Sequence, residues 1–108
     1  MSFDQTLWFA NERKYQNSVR YQIQVNAIVG RIQRGEIPKE AMALAEALLP
    51  GTNDARALAE AIAWRTIAEK PPKLAFDYSL LKSAFVYGKM SDKQKFWAAK
   101  LAKEKQEE

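Results

Sequence analysis

The sequence predicts an all-α fold, a small bundle of about five helices with a short strand or an arm at its N-terminal end. Three observations predict it. Apolar residues recur three and four positions apart in separate stretches along most of the chain. Gly and Pro punctuate those stretches in stop-and-start order, with Gly35 before Pro38, then Pro50-Gly51, Pro71-Pro72 and Gly88. Ser91 and Gln94 form an S-x-x-Q capping box, in which a Ser hydroxyl takes the third helical N–H and a Gln reaches back to the cap.

A chain of 108 residues with 47% apolar content makes one domain with a modest core, one that oligomerisation would help. The expected division is an N-terminal arm at 1–17 and a single helical domain at 18–106, with a basic helical hairpin at 76–104. Phe3, Leu7, Trp8 and Tyr15 lie among polar residues with weak periodicity, which suits an arm that docks late or on a partner. Within it, Arg13 and Lys14 stand beside Tyr15, where they could contact a nucleic-acid backbone while the ring stacks on a base. A frayed terminus is the competing reading.

Val19 to Asn26 alternates apolar and polar residues, the period of a half-buried strand. Tyr21, Val25, Ile28 and Ile32 nevertheless fall at helical spacing, and no turn signal interrupts the run to Arg34. One helix over 18–34 is favoured. A strand here would need a partner from another copy, since the chain has no second alternating run.

Gly35 ends this helix and Pro38 opens the next, which carries Ala41, Leu44, Ala45 and Leu48 on a narrow stripe. Asn53 or Asp54 caps a third helix expected to run to Lys70, with Leu58 and Ile62 on one side and Ala57, Ala61, Trp64 and Ala68 on another. Apolar over so much of its surface, it is expected to be the central helix, with Trp64 as a core anchor. Asp77 is the expected cap of a fourth helix bearing Tyr78, Leu81 and Phe85 on one face and Leu80, Ala84 and Tyr87 beside it, and Gly88 stops it. The fifth starts at Met90 or Ser91, with Trp97 and Leu101 on a stripe and Phe96 next to it.

Charge is uneven. Residues 38–69 carry three basic against five acidic side chains, whereas residues 70–106 carry nine basic against three, a net of +6. A surface of that sign favours phosphate, although a solvated lysine face would look the same. Aromatics at helical spacing usually pack. Tyr87 and Phe96, which flank the turn, are the two expected to escape burial, because a short loop cannot enclose everything.

Without Cys or His, the chain lacks thiolate ligands, the commonest metal ligand and the easiest general base. It also has no Gly-rich phosphate loop, nucleophile elbow or spaced acid pair. The expectation is a protein that is not an enzyme, with no catalytic residue, no metal and no cofactor. No run of 18 apolar residues or leader-like start is present, which suits a cytoplasmic protein without a membrane partner.

SLLKSAFVYGKMSDKQKFWAAKLAKE carries a leucine-aromatic helix, then Lys89, the segment Met90-Ser-Asp-Lys-Gln94, an aromatic and Lys-Leu. It resembles a segment that recurs in small phage proteins, and RGEIPKEAMALAEALL, from Arg34 to Leu49, resembles a companion segment. Together they are similar to the phage single-stranded-DNA-binding proteins that act as cofactors of a phage-encoded RNA polymerase, a group with a fold unlike the usual SSB barrel. The likeness covers Arg34 to Glu104, and the sequence before Arg34 carries none of it. It implies single-strand binding without strong sequence preference, self-association on the strand, and a place in early viral transcription or replication within an infected bacterial host.

The leading expectation is therefore a non-sequence-specific single-stranded DNA-binding protein, a homo-oligomer with a phage RNA polymerase as a further partner. Lys82, Lys89, Lys93, Lys95, Lys100 and Lys103, with Arg13, Lys14, Arg31 and Arg34 as contributors, would neutralise phosphates, while Tyr87 and Phe96 would stack on bases. Duplex reading fits less well, because the helix after Ser91 offers lysines where base edges call for Arg, Asn or Gln. The alternative is a protein–protein adaptor or inhibitor of host machinery, with Trp8, Tyr87 and Trp97 as interface anchors.

Overall fold

A computed structural model describes residues 19–68 and 75–107. These form five helices and no strand: α1 (Val19–Gln33), α2 (Lys39–Leu48), α3 (Ala55–Ala63), α4 (Phe76–Leu81) and α5 (Asp92–Gln106). Two of them continue in a widened π turn, α3 over Trp64–Ala68 and α4 over Lys82–Val86. The expected arm at 1–17, with Arg13 and Lys14, lies outside the described residues.

The alternating run at 19–26 is helical. Tyr21, Val25 and Ile28 are buried at spacings of four and three, which gives α1 one continuous inner stripe. Gly35 then takes φ +68°, with Glu36 N–H donating to the Arg31 carbonyl and Gly35 N–H to that of Ile32. Those two bonds are a Schellman closure, which satisfies carbonyls that the helix end would otherwise leave open. Pro38 serves as N-cap of α2, its carbonyl accepting from Ala41 and Met42. Asp54 caps α3 by accepting from Ala57 N–H at 2.8 Å.

The N-cap of α4 lies two residues before the expected one. Ala75 is the N-cap, and Asp77 instead sits in the first turn, where its carboxylate accepts from the N–H of Tyr78 at 2.9 Å. An acid there still favours the positive end of the helix dipole. Its start at Phe76 leaves that ring exposed on the first turn.

The central element is α4 with its π turn, not α3. It packs against all four other helices, while α1 pairs mainly with α3 and α2 mainly with α5. Leu80, Leu81, Ala84 and Phe85 are all enclosed, and Phe85 is the largest side chain completely removed from solvent. Burying a side chain of that size contributes about 1.5–3 kcal/mol. Trp64, expected as a core anchor, is half-buried where α3 widens.

α2 and α5 meet through small residues. Ala41 and Ala45 are buried on one helix and Ala98 and Ala102 on the other, so the two backbones approach closely. α1 and α3 are tied on the outside by Arg56, which donates to Asn26 Oδ1 at 3.0 Å, Gln22 Oε1 at 2.9 Å and Glu60 Oε1 at 3.0 Å.

Both π turns contain a hydroxyl that bonds the carbonyl four residues back, Thr66 to Ile62 and Ser83 to Ser79. Such back-bonding competes with the backbone ladder and loosens it locally. After the second π turn Gly88 adopts φ +75°, and Lys89 N–H closes the end by donating to the Ser83 carbonyl at 3.1 Å. The capping box then starts α5. Gln94 N–H donates to Ser91 Oγ at 3.1 Å, and Gln94 Oε1 accepts from Ser91 N–H at 2.8 Å. Gln94 Nε2 also donates to Ser83 Oγ at 3.3 Å, which ties the start of α5 to the end of α4.

Candidate nucleic-acid interface

The hairpin of α4 and α5 carries most of the residues expected to bind a strand, and the packing of α5 divides them. Its buried seam is Ala98 and Ala102, flanked by half-buried Gln94, Trp97 and Leu101. The expected stripe through Trp97 and Leu101 is thus one flank of the seam, about one 100° helical step from its centre. Opposite the seam, Lys93, Phe96, Lys100 and Lys103 follow one another at spacings of three, four and three, and all four are exposed. Lys95 is not with them. It lies half-buried on the far flank of the seam.

Phe96 is 62% exposed, and its ring makes an edge contact with Trp97 at 5.6 Å between centroids. Phe76, 57% exposed, meets the same indole edge-on at 6.2 Å. Three aromatic rings therefore line the junction of α4 and α5. Lys100 places its ammonium 4.8 Å from the Trp97 centroid, a cation–π contact that holds the cation beside this row. Asp92 and Glu104 flank the lysine stripe, and Lys95 and exposed Lys105 lie off it.

A second group sits at the turn. Tyr87, 61% exposed, has Lys82 Nζ 5.7 Å from its ring centroid, and Lys89 follows just beyond Gly88. The expectation that Tyr87 and Phe96 escape burial holds, and the reason is positional: both lie off the inward faces of their helices. Phe76 and Trp97 join this row of rings, although neither was among the rings expected to stack on bases. The signal for Phe76 was its place at the very start of a helix, which the choice of Asp77 as cap concealed.

Arg31 in α1 and Arg34 just past its end, both expected as contributors, serve other partners. Arg31 is half-buried, and its Nη1 donates to the carbonyls of Phe85 at 2.7 Å and Val86 at 2.6 Å. It closes the C-terminal end of α4, where a cation suits the negative end of the helix dipole. Arg34 forms a forked pair with Glu36, at 3.0 Å through Nε and 3.2 Å through Nη2. That hydrogen bond raises the Arg34 pKa further and holds the Glu36 carboxyl below its ordinary value.

Among the described residues no group of His, Cys, Asp and Glu is placed to hold a metal ion, and no buried side-chain polar atom lacks a partner. No helix among them is long and apolar enough to cross a membrane. What the hairpin offers is a surface of lysines and aromatic rings. No protein-family model, curated protein or solved structure matches the chain.

Proposed function

We propose that the chain binds single-stranded DNA without sequence preference through the outer surface of the α4–α5 hairpin. The observation that carries this reading is the exposed line of Lys93, Phe96, Lys100 and Lys103 on α5. Lysines supply phosphate neutralisation and counterion release, and an exposed ring supplies a face on which any base stacks. The combination tolerates sequence because neither interaction reads a base edge. Lys82, Lys89 and Tyr87 extend the surface around the turn. A role beside a phage RNA polymerase, and self-association on the strand, follow from the sequence resemblance alone.

Fluorescence anisotropy with a labelled single strand of about 30 nucleotides, beside its duplex and over a range of salt, tests the reading. Preference for the single strand is expected, with affinity falling log-linearly in salt. Replacing Lys93 and Lys100 with Ala should reduce that slope by about 0.7 for each phosphate that is no longer neutralised. Absence of binding to either form at low salt and micromolar protein overturns the proposal. The exposed Phe76 and Phe96 beside Trp97 favour one other reading, an adaptor surface for a protein partner, which would be specific and little affected by salt.

A further inference from the structure

Resting on the single-strand reading above, we infer that the strand runs lengthwise along the outer face of α5 from Lys93 to Lys103 with one base stacked on Phe96, a footprint of roughly three to five nucleotides per chain.

The length follows from helix geometry. Ten residues separate Lys93 from Lys103, which at 1.5 Å per residue places their backbones about 15 Å apart. A stacked strand advances about 3.4 Å along its axis per phosphate, so that distance spans about four steps, and fewer in a stretched strand. Acids stand at both ends of the line: Asp92 precedes Lys93, and exposed Glu104 and Glu107 follow at the C-terminal end, where the helix dipole is also negative, while Lys105 between them faces the opposite side of the helix. A strand that follows this face therefore meets an acid at each end of the line.

The choice of Phe96 follows from its neighbours. Phe96 lies between Lys93 and Lys100 on the line, and Trp97 touches both its ring and the Lys100 ammonium. One indole therefore restrains a stacking ring and a phosphate-binding cation together, which lowers the cost of ordering them on binding. Among the described residues Phe96 has no cation over its face, whereas Tyr87 has Lys82 there. Tyr87 also lies off the α5 line, at the end of α4.

The test uses the full chain with oligodeoxythymidylates of about 3, 5, 8 and 15 nucleotides, by anisotropy and by native mass spectrometry for stoichiometry. Affinity per chain should stop rising at about five nucleotides, and the longest oligomer should take up about three chains. Phe96→Ala and Phe96→Leu should each weaken binding about tenfold, since leucine keeps an apolar side chain but offers no ring, and Lys95→Ala should leave binding unchanged. Circular dichroism should show both Phe96 variants folded, as their exposed site requires.

One chain filling a 15-mer, full affinity in Phe96→Leu, or a loss from Lys95→Ala equal to that from Lys100→Ala overturns the footprint. Tighter binding of the matching uridine oligomers than of thymidine oligomers overturns the choice of DNA. If the unaltered chain fails to bind even the long strand used above, the parent reading falls as well. Binding that is retained with the wrong stoichiometry removes this inference alone.

Discussion

Arg31 and Phe85 are 54 residues apart in the chain, and Arg31 Nη1 donates to the Phe85 carbonyl at 2.7 Å and to that of Val86 at 2.6 Å. α1 thereby caps the end of the central helix. The widened turn over Lys82–Val86 leaves these carbonyls at the helix end, and a cation from a neighbouring helix satisfies them.

Arg31→Met keeps the aliphatic stem and removes the donors, so it should destabilise the fold by about 2–3 kcal/mol, read as a lower midpoint in urea. Arg31→Lys should recover only part of this, because an ammonium is a point donor on a different stem. DNA affinity of the folded Met variant should be unchanged. Lower affinity at unchanged stability would instead make Arg31 a phosphate ligand.

Gly88→Ala should cost more than Gly51→Ala. Both glycines have positive φ, +75° and +87°, where an L side chain loses about 1–2 kcal/mol. A Cβ at Gly51 meets open space, whereas one at Gly88 meets Arg31 Nε at 3.1 Å, on a guanidinium held in place by two carbonyls. Urea unfolding of the two single variants measures the difference. In an Arg31→Ala background the excess should vanish; if it persists, the Arg31 side chain is not its source.

Ala98→Leu or Ala45→Leu should overpack the seam between α2 and α5 at a cost of about 1–3 kcal/mol. Ala99→Leu is the control, since Ala99 is exposed on the same helix and the change should stay within about 0.5 kcal/mol. Equal effects at Ala98 and Ala99 would contradict the close approach of the two helices.

Glu36 has its carboxyl pKa lowered by the hydrogen bond from Arg34. The folded state therefore binds that proton less readily than the unfolded chain, so the pair's contribution is present above the ordinary glutamate range and disappears as pH falls through the lowered value. Glu36→Gln should flatten the acid side of a stability–pH curve slightly, because the pair is on the surface. A steeper acid limb in the variant would reverse the sign.

The five helices, most of their ends and the two rings left exposed near the hairpin turn are legible in the sequence. Those are local properties. A 3.6-residue apolar period, a left-handed Gly at 35 and 88, and the Ser91–Gln94 box each act within a few residues of one another. Packing sets which face of each helix turns inward. Apolar size marked Trp97 and Leu101 for the inside of α5, yet Ala98 and Ala102 occupy the centre, because small side chains let α5 approach the alanines of α2. That rotation sets Lys93, Phe96, Lys100 and Lys103 outward together and turns Lys95 away from them. Packing likewise made α4 the centre in place of the more uniformly apolar α3, and it drew Arg31 to carbonyls that only the folded chain brings within reach. No local pattern encodes a hydrogen bond across 54 residues, so that part of the molecule follows from the packing alone.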